Sequence, residues 1–517
     1  MVGHLRHGAG LVRKDSSLGA DMSQSPQDPG HGSIPPSTAI PEHVGAIGAY
    51  EPASLAKNTV GLAGAVAQSA AFIAPAVGLT AGNIFIAGLV GVAAPFEFVI
   101  GMLICLCIAS VIGQYTKQIS HAGSFYAYLT RAFGPKTGFV AGILQFGAYL
   151  CLLTFTFAFF GSFVDSYLTS HGLNLPWQIY TLALGLLCLG IVTAGISPSL
   201  KFTLAALSIE IAIFTLLSLI ILIKGGANGW SAAPFNPANS TTGFSGIVLG
   251  SVFTIFAFVG FESATSLSEE ARNPTRTIPL AVMLTTIVVG SFYVFATYAE
   301  VIGFGTNAEG IKALQTNASP FTSLASTYVG GWLSVLVELA TISSLAALGI
   351  AQVQAGSRVF FAMGRDGFFP RRLATVDKRG TPVIAISAVA AFGFLVTIIG
   401  GSAWGAESFS SWAAYLGTLL FVGAYALLLI GIVRYAQMHP ATDFHLIRHL
   451  AIPIVGLIGI GVVLYGNVHP VPPRPLNYLI WVAVAVAIIA VALVDTLEKR
   501  RPSKILEAGA VLGTMEH

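Results

Sequence analysis

Runs of about 20 mainly apolar residues recur along residues 58–496, and about 20 such residues are what an α-helix needs to cross the hydrocarbon core of a bilayer. A window of that length finds about twelve, at 58–78, 91–115, 137–164, 177–195, 200–224, 245–267, 279–303, 329–361, 382–400, 408–433, 450–467 and 476–496. Asn83–Gly91 is also apolar, which leaves the start of the second span open. Inside lipid each backbone N–H and C=O must be paired within the chain, so such runs are helices. The fold class is therefore an all-α membrane protein. Composition agrees: 55% of residues are hydrophobic and 9% charged, against about 25% charged in soluble chains.

The loops set an orientation. With the first residues inside, the inner loops and ends hold Lys57, Lys117, Arg131, Lys136, Lys201, Arg272, Arg276, Arg365, Arg371, Arg372, Lys378, Arg379, Arg434 and Arg448, and the C-terminal segment adds Lys499, Arg500, Arg501 and Lys504. The opposite side holds Lys224, Lys312 and Arg474. That asymmetry is the positive-inside pattern. It predicts a multi-pass protein of the plasma or inner membrane with both termini cytoplasmic. The net charge of +3 is then a topology signal and points to no nucleic-acid partner.

Three regions follow: a disordered cytosolic tail over 1–57, a membrane domain over 58–496 and a cytosolic tail over 497–517. The first is rich in Gly, Pro and Ser, with no apolar segment of signal-peptide type. Its histidines, His4, His7, His31 and His43, are too irregularly spaced for a metal tract. The four cysteines, Cys105, Cys107, Cys151 and Cys188, all lie in apolar runs as small hydrophobes and imply no metal site. No phosphate-binding loop or dinucleotide fingerprint is present, so no cofactor and no enzyme activity are expected.

Two spans are interrupted. The first contains "AVAQSAAFIAPAVG" (Ala65–Gly78), with Gln68, Ser69 and Pro75 at mid-membrane; the sixth contains "FAFVGFESATSLSEE" (Phe256–Glu270), with Gly260 and Glu262 at similar depth. Matching interruptions in two halves of a transporter point to a substrate site. Exposed N–H groups at a half-helix start attract a carboxylate and exposed C=O groups a cation, which suits an amino acid. The competing reading is a simple kink at Pro75 and close packing at Gly260.

Three longer stretches carry a family resemblance. "GFESATSLSEEARNPTRTIPLAV" (Gly260–Val282) resembles the sixth-helix signature of the amino acid–polyamine–organocation permeases. "GSRVFFAMGRDGFFPRRLATVDKRGTPVIAI" (Gly356–Ile386) is similar to that family's loop after helix 8, and "ISHAGSFYAYLTRAFG" (Ile119–Gly134) to its re-entrant segment before helix 3. The resemblance implies a five-plus-five inverted repeat of the LeuT type with helices 1 and 6 broken. Substrate would sit between the breaks, walled by helices 3, 8 and 10. It places Gln68, Ser69, Ala70 and Phe72 in the first break, where the family usually has a Gly-Ser-Gly-type sequence before Phe. In helix 6 it makes Phe256 an aromatic gate or plain packing, and Phe258, Val259 and Gly260 the unwound stretch.

Acids inside spans are costly and suggest function. Glu262 matches the family's helix-6 acid, either supporting the unwound segment and gating or binding nearby N–H groups. Glu210, in the fifth span, falls near where proton-coupled relatives carry a lysine. A buried carboxyl there can take up and release a proton. Alternatively it helps hold a cation with Ser343 and Ser344, or it is a neutral structural acid. Glu338 reads as structural. Glu269, Glu270, Arg272 and Arg276 form either an ion-pair gate with Arg358, Arg365 or Asp366, or solvated loop charge.

The resemblance thus implies a secondary transporter that imports an amino acid, neutral rather than dicationic, by proton symport with alternating access; sodium coupling stays open. An amino acid/polyamine exchanger and a non-transporting membrane sensor are the competing functions. The partners are a small amino acid or amine and the lipid bilayer, and no oligomeric state follows.

Overall fold

Glycines and prolines cut the apolar runs into helices. The computed structural model describes residues 54–500 apart from 318, 439–443 and 470. Most of the 1–57 segment, and 501–517, lie outside the described residues, so the two expected tails are not seen there.

α1 (Leu62–Ile73) stops at Ala74, a single turn α2 (Pro75–Val77) follows, and a widened π-type turn at Gly78–Gly82 leads into α3 (Asn83–Val90). Gly91 (φ +56°) then reverses the chain into α4 (Ala94–Thr116). The first span therefore runs to Val90, not to residue 78. Asn83–Gly91 belongs to it, a division that hydropathy cannot see because both sides of Gly91 are apolar. α5 (Phe125–Phe133) is a short buried helix, followed by α6 (Pro135–Ser170), α7 (Trp177–Thr193) and α8 (Ile196–Ile223).

α9 (Gly243–Phe258) ends in mid-span and gives way to a tight 3₁₀ segment, Ser263–Glu270. α10 (Pro274–Phe304), the short α11 (Ala308–Thr316) and α12 (Pro320–Tyr328), and α13 (Gly331–Arg365) follow. α14 (Val383–Trp404), α15 (Ala406–Met438), α16 (Ile452–Gly466) and α17 (Leu476–Arg500) complete the chain. Among the described residues, 11 helices are long and apolar enough to cross a membrane, and Trp177–Thr193 is a shorter apolar helix between two of them.

Packing has an internal symmetry. α6 packs on α15 as α13 packs on α8; α6 on α14 as α13 on α7; α1 on α10 as α9 on α4; and α4 and α10 pack on each other. Exchanging each of the first five spans for the one five later maps these contacts onto themselves. Because neighbouring spans are antiparallel, an offset of five inverts the direction, which is the inverted-repeat arrangement. α16 and α17 stand outside it, against α4, α9 and α15 and against α6 and α15 respectively. Outer faces keep large apolar side chains such as Ile223, Ile399 and Ile488 exposed to lipid, while Gln68, Glu210 and Glu262 are buried.

Residues 54–57 do not hang free as part of a tail. Leu55, 2% exposed, packs with Ala122, Phe361 and Ala374. Thr59 and Val60 donate backbone hydrogen bonds to the Glu270 carbonyl, and Arg272 N–H donates to the Val60 carbonyl at 2.7 Å. The entrance to α1 and the exit of the 3₁₀ segment are thereby strapped together.

Candidate functional site

The first interruption lies at Ala74, whose φ of +53° is left-handed. Pro75 causes it: proline lacks the N–H that would continue α1, and its ring clashes with the preceding turn. Gln68, Ser69 and Ala70, expected at the break, are instead helical residues of α1, one turn before it. The second interruption follows Phe258. Val259 is extended (ψ 131°) and Gly260 has φ +112°. Only glycine suits Gly260, because its backbone is strained for any other residue and a Cβ there would overlap the Phe72 ring.

Polar contacts join the two interruptions. Ser69 Oγ accepts from the Ala264 N–H at 3.0 Å, and Ser263 Oγ donates to the Gln68 carbonyl. The Gln68 side chain turns the other way, to α13. Its Nε2 donates to the Ala351 carbonyl at 2.9 Å, and its Oε1 accepts from Gln354 Nε2 at 2.8 Å. Gln68 thus does not project toward the second break but ties α1 to α13.

Glu262 closes the second break. Its Oε2 accepts from the Gly260 N–H at 3.0 Å and from the Tyr425 hydroxyl at 2.8 Å. Oε1 is buried with no partner among the described residues. Tyr425 stacks with Phe421 and meets Phe261 at a tilt, and Tyr149 lies against Phe72 and Phe421. Gln145 bridges Ser124 to the Tyr149 hydroxyl.

A small cavity opens where the interruptions meet, with Phe72, Ile73 and Val77 on one side, Phe256 and Val259 on another, and Leu152, Phe155, Leu348 and Gln352 opposite. Phe256 meets Phe155 edge-on, with ring centres 5.6 Å apart. The free space is about 20 Å³, enough for roughly one water, so an amino acid needs these walls to separate. Of the residues singled out from sequence, Phe72, Phe256 and Val259 line it. Phe258 points away, its ring edge-on to Tyr293 on α10. A larger, mainly apolar groove, bordered by Met102, Phe295 and Tyr298, shares no lining residue with this cavity.

Glu210 sits at the start of the resumed first span. It is buried and faces the Ala76 N–H and the Ser344 hydroxyl, and its Oε2 and Ser344 Oγ make no hydrogen bond among the described residues. Ser343, turned about 100° from Ser344 on the helix, is only half-buried. Glu338 is also half-buried, near His171. Two buried acids went unremarked in the sequence. Glu97 on α4 has both carboxyl oxygens without a partner among the described residues, and Glu300 on α10 accepts from Asn83 of α3. Their signal was present, since an acid inside a span is itself a functional flag.

One end of the bundle is shut by ion pairs. Arg358 binds both oxygens of Glu270, at 2.9 and 3.2 Å, and both residues are 1% exposed. Arg365 binds both oxygens of Glu269 at 2.7 and 2.8 Å and touches His121. Glu269 and Glu270 are therefore not solvated loop charges. Arg272 takes no part and donates to the Asn58 carbonyl. Burial holds the His121 imidazole below its ordinary pKa, against the pull of Asp366 and with Arg365 pushing further down.

The amino acid permease family matches residues 65–494, a span that takes in both interruptions, the cavity and the ion pairs. The chain belongs to this family. It is a membrane transporter, not an enzyme, and its substrates are small molecules of the amino acid class. The permease is similar to the branched-chain amino acid permease BcaP of Lactococcus lactis subsp. cremoris strain MG1363, 25% identical over 72% of this chain and 81% of that protein. It is also similar to the methylthioribose transporter of Bacillus subtilis strain 168, 23% identical over 76% of this chain and 84% of the relative. The cadaverine/lysine antiporter of Escherichia coli K12 is 30% identical over 42% of this chain and 50% of its own length.

Proposed function

We propose that the permease imports a neutral amino acid by proton symport, with the substrate held between the two interruptions. The observation that carries this reading is the cavity at their junction. Its walls are apolar, and the nearest acid of the first and sixth spans, Glu262, already accepts two hydrogen bonds. A dication would find only this one acid at the breaks, its Oε2 already engaged, which favours a neutral amino acid. The α-carboxylate and α-amino groups would take the N–H and C=O groups that a broken helix exposes, with Ser69 and Ala70 one turn away. Phe256 would close over the side chain.

Glu210 is the proposed coupling residue. It faces the Ala76 N–H at the start of the resumed first span and Ser344 on α13, so movement of the first span against α13 changes its surroundings. A proton bound in one conformation is then released in the other. Glu262, Ser343 and Ser344 would share in gating. Access would alternate as the first, second, sixth and seventh spans rock against the rest, with Arg358–Glu270 and Arg365–Glu269 opening on the cytoplasmic side, where both termini lie in a plasma or inner membrane.

A second reading is exchange, favoured by the similarity to the cadaverine/lysine antiporter. Uptake of a labelled panel that includes leucine, threonine, lysine and cadaverine into proteoliposomes separates the two. Symport predicts uptake of neutral amino acids into empty vesicles under an inward proton gradient but not under a sodium gradient alone. Uptake that requires preloaded substrate would replace it with exchange.

A further inference from the structure

Among the described residues, the cavity wall carries a single polar side chain, that of Gln352. The residue is 1% exposed, and its Oε1 is buried with no partner among the described residues. Its neighbours along α13 are engaged otherwise: the Ala351 carbonyl and Gln354 both bond Gln68. Gln352 points the other way, among Leu348, Leu152 and Phe155, facing the half-helix ends. A buried amide oxygen without a donor is destabilising, whereas one that gains a donor on binding is not.

Resting on the substrate site proposed above, we infer that Gln352 is the specificity-determining residue of the permease and selects a compact neutral side chain bearing one hydrogen-bonding group over an aliphatic isostere. An apolar wall with one amide accepts side chains of the right size. It then discriminates among them by whether that amide is satisfied. Sites built to bond a polar group reject the analogue that lacks it far more strongly than apolar pockets distinguish a methylene. The amide offers both an acceptor and donors, so a hydroxyl or a carboxamide meets it equally well. The main-chain groups of the substrate, held at the helix ends, are common to all amino acids and carry none of this choice.

Competition for uptake between isosteres, threonine against valine and asparagine against leucine, tests this in the full-length permease. Wild type favours threonine and asparagine by roughly tenfold, Gln352→Leu removes or reverses that ratio, and Gln352→Asn keeps part of it. Gln352→Met, with the same chain length as glutamine, gives the same reversal where the leucine variant is poorly folded. A merely structural Gln352 lowers uptake of all four amino acids together and leaves the ratios unmoved. That result, or a wild-type preference for valine and leucine that Gln352→Leu does not change, overturns the inference. Transport of those two at wild-type rates would leave the proposed site itself standing. Uptake of no amino acid at all removes both.

Discussion

The backbone of Gly260 lies against the ring of Phe72, so close that a Cβ on Gly260 would overlap the ring. The two residues belong to the sixth and first spans, and their approach brings the two helix interruptions together. Gly260→Ala adds both that overlap and a disfavoured φ, a strain on the order of 1–3 kcal/mol. The variant is expected to melt several degrees lower in detergent and to lose uptake. A Gly260→Ala permease with unchanged melting and uptake would show that the approach is dispensable.

Gln68 and Gln354 are both 0% exposed and hydrogen-bond each other. Removing one partner leaves a buried amide short of a bond, at about 1–3 kcal/mol, whereas removing both is milder. Gln354→Leu should therefore destabilise the permease more than the double variant Gln68→Leu/Gln354→Leu. Thermal unfolding across the four-member cycle reads the coupling, and strictly additive losses would contradict a direct link.

The Arg358–Glu270 pair invites a sharper contrast. Breaking a buried ion pair from one side is strongly destabilising, roughly 3–5 kcal/mol, while replacing both charges by apolar groups is often tolerated. Arg358→Met alone should sharply reduce folded yield, and Arg358→Met/Glu270→Leu should recover it. If the pair also closes that end of the bundle, the double variant leaves a cysteine at Ala264 more reactive toward a water-soluble thiol reagent than in the otherwise wild-type protein. Equal labelling of the two would confine the pair to a structural role.

His121 supplies a pH dependence. Its folded pKa is lowered by burial, so below the ordinary histidine value of about 6.5 the unfolded chain binds more protons than the folded one. The stability this neutral histidine contributes is present above that pH and is lost as pH falls. Melting temperature should drop between about pH 7.5 and 5.5 more steeply in wild type than in His121→Asn. Parallel profiles would assign the acid sensitivity elsewhere.

Much of the architecture is legible from hydropathy, because length and apolarity decide which runs can cross lipid. Boundaries inside apolar sequence are not: Gly91 ends the first span through a left-handed turn that no hydropathy window registers. The second interruption was readable because Gly260 is both flexible and followed by an acid. At the first, Pro75 marks the interruption in the sequence, whereas the family resemblance points to Gln68–Ala70, one turn before the backbone breaks at Ala74. Phe258 and Gln68 turned to α10 and α13 because side-chain direction depends on helix rotation, which single residues do not disclose. Gln352 was invisible for the same reason: it is one of two glutamines on α13, marked only by the cavity it faces.

In the proposed mechanism substrate and proton move together, with Glu210 as the coupling group. The most direct measurement is proton movement into proteoliposomes holding a pH-sensitive dye, recorded on addition of a transported neutral amino acid. Wild type should acidify the lumen in step with uptake, and Glu210→Gln should bind substrate with little loss yet show neither acidification nor gradient-driven accumulation. Substrate uptake without any proton movement in wild type, or full coupling in Glu210→Gln, would contradict the account.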